Sequence, residues 1–294
     1  MNEFKDKVVV ITGAGGGLGR AHALEFAKRG AKLVVNDLGG SAAGEGQSDM
    51  ADQVVAEIRA SGGSAIANKA SVSDRAGAKS IIEDAVSEFG TIDILVNNAG
   101  ILRDKSFKNM SLDDWDLVIN VHLNGTAYVT HAAWPIMYEK NYGRIVLTSS
   151  TSGIFGNFGQ GNYGAAKMGM VGLMNVLALE GASHNIKVNT LAPAAATRLT
   201  NTIPGRDEDL SRPDPERAPH LVTPAVLFMS QDDAPTGKIV QAGNGRFSLA
   251  AVYSNAGVVQ GPEASYESFL EDTDTILDLS NASEGWWRRR PKAD

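Results

Sequence analysis

Apolar positions fall into short, nearly unbroken runs separated by longer segments of helical period. VVVIT (8–12), KLVVND (32–37), AIAN (65–68), IDILVNN (92–98), GRIVLTSS (143–150) and IKVNTLAP (186–193) read as strands. Their hydrophobicity is continuous rather than alternating, which predicts strands covered on both faces, as in a parallel sheet. Helices are predicted over 18–29, 48–60, 74–89, 112–140 and 161–182. Ser111, with Asp114 three residues later, reads as the cap of the fourth. This alternation predicts a doubly wound α/β fold built on a parallel sheet. Residues 39–47, the Pro- and charge-rich stretch 204–219 and the tail after about 255 read as loops, and no internal repeat is visible.

Composition narrows the function. With 294 residues, 43% of them hydrophobic, the chain can bury a large core and is too apolar for disorder. A net charge of −7 has the wrong sign for broad contact with nucleic-acid phosphates. Cysteine is absent, which removes disulfides, thiolate metal sites and a thiol nucleophile. His22, His122, His131, His184 and His220 lack metal-ligand spacing, so no metal is expected. Neither a secretory leader nor an apolar run of roughly 18 residues is found, and the terminal PKAD is not a peroxisomal address. The expectation is a cytoplasmic protein with a small-molecule substrate and neither nucleic acid nor membrane as partner.

The first strand runs into TGAGGGLG, with Gly13, Gly17 and Gly19 opening directly into a helix. Such a loop lets the backbone approach a pyrophosphate, whose charge the helix N-terminus stabilises; the plainer alternative is a flexible turn. Asp37, at the end of the second strand, is placed to accept a hydrogen bond from a ribose 2′-hydroxyl and to repel a 2′-phosphate. NAD is thus favoured over NADP, although an Asp here can also simply cap the turn at Leu38 and Gly39.

NNAG (97–100), the pair Ser149 and Ser150, and YGAAK (163–167) follow in order. Together with the glycine loop they resemble the short-chain dehydrogenase/reductase family over residues 5 to about 253. The resemblance implies a single-domain Rossmann-type fold and a cofactor site formed by Gly13, Gly17, Leu18, Gly19, Asp37, Ser71, Val72, Asn98, Ala99, Gly100, Tyr163, Lys167, Pro193 and Thr197. It also implies that Ser150, thirteen residues before Tyr163, binds the substrate oxygen.

The chemistry accounts for these residue types. Hydride leaves an alcohol carbon as its hydroxyl proton is removed, so a base must sit on the oxygen. Free tyrosine titrates near ~10. Lys167, one helical turn after Tyr163, is expected to lower that value by its charge. Adjacent strand residues point to opposite faces, so only one of Ser149 and Ser150 can meet the substrate. His122, in INVHLNG (119–125), stands where many family members carry a water-holding Asn. It either orients the same water in the proton path or packs as a buried polar residue.

VVNDLGG, NNAGILRDKSF, DDWDLVINVHLNG and GIFGNFGQGNYGAAK are similar to the dehydrogenase domain of peroxisomal multifunctional enzymes of type 2. That similarity implies NAD-dependent oxidation of (3R)-hydroxyacyl-CoA by a bacterial free-standing form. The alternative is a 17β-hydroxysteroid or other secondary-alcohol dehydrogenase without CoA. The family's PNAG reads PAAA here (193–196). A substrate lid is expected around 197–220, where Arg198, Arg206, Arg212 and Arg217 either meet CoA phosphates or lie in a solvated loop. The domain is expected to span 1–255, followed by an extension of unknown role at 256–294. A homodimer or homotetramer through helices 112–140 and 161–182 is implied.

Overall fold

The computed structural model describes residues 3–197 and 214–285. Strands β1 (Val8–Thr12), β2 (Lys32–Asn36), β3 (Ser64–Asn68), β4 (Ile94–Asn97), β5 (Gly143–Thr148), β6 (Ile186–Ala194), β7 (Ile239–Gly243) and β8 (Arg246–Ala250) form one sheet in the order β3-β2-β1-β4-β5-β6-β7-β8. Every registered pair from β3 to β7 is parallel. Val8 to Ile11 of β1 and Ile94 to Val96 of β4 are almost fully buried, each side chain contributing about 1.5–3 kcal/mol. The unbroken apolar runs of the sequence therefore mark strands covered on both sides.

Helices α1 (Gly17–Lys28), α2 (Met50–Ala60), α3 (Arg75–Phe89), α4 (Leu112–Ile119), α5 (Gly125–Glu139), α6 (Thr151–Phe155), α7 (Gly161–Glu180) and α8 (Thr223–Ser230) belong to the same unit as the sheet. Ser111 caps α4 by accepting from the Asp114 N–H at 3.1 Å. The single helix expected over 112–140 is interrupted: Asn120–Asn124 form a π turn between α4 and α5. The wide turn lets His122 reach the Ile101 backbone while Val118 of α4 and Val129, Ala133 and Met137 of α5 stay buried.

Chain direction across the sheet reverses between β1 and β4, opening a crevice at the carboxyl ends of the strands. Asn98 closes its floor, its side-chain amide donating to the carbonyls of Thr12 and Gly13, both at 3.0 Å. The Thr12 hydroxyl accepts from the N–H groups of Asn98 and Ala99.

The chain divides into two compact units, residues 1–248 and 249–294. In the second, β9 (Tyr253–Ser254) pairs antiparallel with β10 (Ser283–Glu284), and two short helices, α9 (Tyr266–Glu271) and α10 (Thr273–Leu277), lie between them in sequence. Arg198, Arg206, Arg212 and most of the expected lid lie outside the described residues, as do Trp286 and Trp287. Among the described residues no helix is long and apolar enough to cross a membrane, and no cluster of metal-ligating side chains occurs.

Candidate active site

The crevice is a cleft of about 260 Å³ lined by Gly13, Gly17, Leu18, Asp37, Ser71, Val72, Asn98, Ala99, Gly100 and Thr197. Backbone conformation explains its glycines. Gly13 has φ +64°, and a Cβ there would lie 2.7 Å from the Ala99 Cα. A Cβ on Gly19 would lie 2.2 Å from the Gly13 carbonyl oxygen, so Gly19 serves close packing of helix on loop and does not line the cleft. Pro193, within β6, is likewise not among the lining residues.

Asp37, just past the end of β2, uses both carboxylate oxygens. One accepts from the Gly39 N–H at 2.7 Å and the other from the Gly15 N–H at 2.8 Å. It therefore caps the turn, as one of the two sequence readings has it, and also holds the glycine loop. Loop 39–47 folds back toward the exit of β4: the Leu102 N–H donates to the Ala42 carbonyl at 3.0 Å, and Arg103 reaches the Ala43 carbonyl and Glu45. Ser41, Ala42 and Gly44 thus join the cleft wall. Only their glycine-rich composition hinted at a loop, and nothing in it pointed to the cleft.

These residues fit a dinucleotide. Gly13, Gly17 and the head of α1 leave room and N–H donors that would suit a pyrophosphate, and Asp37 lines the same cleft with a carboxylate that could accept from a ribose hydroxyl.

Beyond Gly100 the cleft abuts a second cluster. A Cβ on Gly100 would lie 2.3 Å from His122 Cε1, so only glycine lets the imidazole come this close. His122 is 1% exposed; its Nε2 lies 3.0 Å from the Ile101 nitrogen and 2.7 Å from the Ile101 carbonyl oxygen, while Nδ1 is buried with no partner among the described residues. Its ring stands edge-on to Tyr163, centroids 5.1 Å apart. Burial first, and the charge of Lys167 second, hold the imidazole well below its ordinary pKa, so it is neutral.

Tyr163 and Lys167 share one face of α7. The head of that helix is fixed by buried Asn162, whose side chain donates to the Arg103 and Asp114 carbonyls and accepts from the Tyr163 N–H at 2.7 Å. The Ser150 side chain lies close enough to the Tyr163 hydroxyl to favour its ionised form. Ser150 is 8% exposed and caps α6 by accepting from the Ser152 N–H. Ser149, fully buried, donates instead to the Lys167 carbonyl at 2.8 Å. Both serines lie past the end of β5, so their divergence comes from a turn, the Ser149 N–H donating to the Leu147 carbonyl, and not from strand alternation.

Burial outweighs the charges around the phenol, pushing Tyr163 up to about 12, opposed by Ser150 and reinforced by the charge of Asp104. The Lys167 ammonium donates to the Thr148 carbonyl and lies over the tyrosine ring, 5.4 Å from its centroid. Burial brings Lys167 itself down to about 7, so its charge is weakened where it was expected to act. Thr12, Asn162, Gln160 and Asp104 were not singled out from the sequence, because their roles depend on contacts far apart in the chain.

A parallel sheet with a glycine loop at its switch point and a Ser–Tyr–Lys cluster beyond it defines an oxidoreductase working on a nicotinamide cofactor. Comparison with known proteins agrees. The short chain dehydrogenase family model matches residues 7–208. The chain is 52% identical over 258 residues to peroxisomal multifunctional enzyme A of Dictyostelium discoideum, covering 87% of this chain and 56% of that protein. It is 48% identical over 286 residues to a short-chain type dehydrogenase/reductase of Mycobacterium tuberculosis, covering 96% and 98%. The structure of full-length peroxisomal multifunctional enzyme type 2 from Drosophila melanogaster superposes with a TM-score of 0.78 at 38% identity, over 97% of this chain and 47% of that one. The chain belongs to the short-chain dehydrogenase/reductase family. It spans about half the length of the two multifunctional proteins and nearly all of the mycobacterial one.

Proposed function

We propose that the chain is an NAD-dependent dehydrogenase that oxidises a (3R)-hydroxyacyl-CoA to the 3-ketoacyl-CoA. The observation that carries this reading is the meeting of Ser150, Tyr163 and Lys167 next to His122, which packs against Gly100 of the cleft that Asp37 also lines. Ser150 donates a hydrogen bond to the substrate oxygen and stabilises its developing charge. The Tyr163 oxygen takes the hydroxyl proton of the alcohol. A nicotinamide held by the glycine loop and Asp37 would supply the hydride acceptor, and the phenol that takes the proton is held near 12 chiefly by burial. Lys167, brought by burial to about 7, gains or loses a proton readily near neutral pH behind that phenol. Asp37 favours NAD, because a 2′-phosphate would meet a carboxylate already bound to two backbone N–H groups.

The acyl-CoA assignment rests on similarity to the multifunctional enzymes. It is tested by comparing (3R)-hydroxyacyl-CoA esters, the matching free hydroxy acids and 17β-hydroxysteroids, each with NAD and NADP. We expect kcat/KM at least about tenfold higher for the thioesters with NAD. Equal efficiency without CoA overturns the substrate class, and a preference for NADP overturns the cofactor. Tyr163→Phe is expected to abolish turnover while dinucleotide binding persists. A homodimer or homotetramer formed in part through α7, whose Met168, Val176 and Leu179 are exposed, is tested by light scattering.

A further inference from the structure

Loop 39–47 is closed on itself. At its neck a Cβ on Gly39 would lie 2.2 Å from the Ser48 nitrogen. Within it the Ser41 N–H donates to the Glu45 carbonyl at 2.7 Å, and the Gly44 N–H to the Ser41 carbonyl at 2.9 Å. A loop packed on itself in this way is positioned as one body by whatever ties it down. Its residues Gly40, Ser41, Ala42 and Gly44 line the cleft directly after Asp37. The tie comes from residues 101–103. Leu102 donates through its backbone to the Ala42 carbonyl, and a Cβ on Gly44 would lie 3.2 Å from the Ile101 side chain. The Arg103 guanidinium makes the side-chain link: Nε donates to the Ala43 carbonyl at 3.0 Å and a terminal nitrogen to the Glu45 carboxylate at 2.8 Å. Nε also lies 3.9 Å from the Asp114 carboxylate of α4.

Arg103 has a separate attachment through its backbone. Its carbonyl accepts from the Asn162 amide at the head of α7. That head is held further by Gln160, whose side-chain amide donates to Asp104 at 2.6 Å. The Arg103 side chain thus holds the cleft loop while its backbone holds the tyrosine helix, and a side-chain substitution separates the two.

We propose that Arg103 is a positioning residue for the cofactor: its guanidinium latches loop 39–47 so that residues 40–44 stand as a preformed wall of the cleft, and dinucleotide affinity depends on that latch. The inference rests on the reading of the cleft as a dinucleotide site. A wall already in place spares the bound state the cost of ordering the loop. Without the guanidinium, the Ala43 carbonyl loses a charged donor and the loop is freer. The Glu45 arm, an exposed ion pair, adds little by itself; the planar fork that reaches both acceptors carries the effect.

The test measures binding to the ligand-free chain by calorimetry, with NADH and separately with ADP-ribose, which has the adenosine and pyrophosphate but no nicotinamide ring. R103M removes the guanidinium and keeps an apolar stem. Both ligands are expected to lose about tenfold in affinity. Amides of residues 40–47 should exchange hydrogen at least about fivefold faster in the ligand-free variant. Turnover should show the matching split, with KM for NAD raised and kcat at saturating NAD lowered less than about twofold, because the backbone bond to Asn162 stays. E45Q should cost about twofold or less, and K108M, at an exposed position nearby, should match the parent. Should R103M not fold, R103K carries the same measurements, with an expected loss of at least about threefold, since an ammonium lacks the fork. Affinities for both ligands within about twofold of the parent, unchanged exchange in the loop, or a loss confined to NADH each overturn the proposal. If the parent binds neither ligand, the dinucleotide reading fails and the latch with it; if the parent binds and the Arg103 variant binds equally well, the latch alone fails.

Discussion

The imidazole of His122 stands edge-on against the phenol of Tyr163, with centroids 5.1 Å apart and planes at 88°. Its Nε2 is committed to the Ile101 backbone and its Nδ1 is buried with no partner among the described residues. Because the ring is held neutral, no imidazole limb is expected in kcat/KM between pH 5 and 8. His122→Ala should lower stability by about 2–4 kcal/mol through the cavity and the stranded Ile101 groups, read from urea unfolding. A pH–rate profile that changes shape in this variant would instead put the imidazole in the proton path.

Lys167 links stability to pH. Burial takes its folded-state value down to about 7 from 10.5. Between those limits the unfolded chain holds a proton that the folded chain has lost, so stability rises with pH, by up to about 1.4 kcal/mol per unit. The contribution is complete above the unfolded value and disappears as pH falls toward 7. Subtracting the stability curve of Lys167→Met from that of the parent should isolate this slope, and a flat difference refutes it.

Asp37→Asn replaces one of two acceptors by an N–H that faces a backbone donor, Gly15 or Gly39. We expect kcat/KM for NAD to fall at least about tenfold and the NADP-to-NAD ratio to rise by a similar factor, since the repelling charge is gone. Parallel assays with the two cofactors give the ratio, and an unmoved ratio separates Asp37 from cofactor choice.

Two glycine substitutions should act in opposite directions. Gly19→Ala sets a methyl group 2.2 Å from the Gly13 carbonyl, and a loss of about 3 kcal/mol with much weaker dinucleotide binding is expected. Gly172→Ala, on the exposed side of α7 with nothing within 4 Å of its Cβ, should add about 0.5–1 kcal/mol to the isolated chain. If copies meet along this helix, the same methyl group should also shift the association constant measured by sedimentation.

Much of this architecture is visible in the one-dimensional pattern, and the exceptions have physical causes. Strands β1, β2 and β4 to β6 stand out because burial on both faces favours runs rich in Val, Ile and Leu, whereas β3 (SAIAN), at the sheet edge and partly exposed, carries a weaker signal. Strand β7 (IVQAG) and helix α8 are too short to show a period, and the pattern did not mark them. The π turn escapes a 3.6-residue reading because it changes the pitch locally without changing residue types. Ser150 was separable from Ser149 by its interval to Tyr163, and the contacts show why both are serines. The burial that raises Tyr163 and lowers Lys167 is not legible in sequence, which gives the presence of a charge but not its surroundings.

The wide turn at Asn120–Asn124 has a consequence for length variation. A π turn spends one residue more than an α turn on about the same rotation, so deleting one here would restore ordinary pitch and leave α4 and α5 nearly in phase. Trp115 and Val118 would then keep their neighbours, while His122 would lose its reach to Ile101. The extra position serves the histidine and not the union of the two helices.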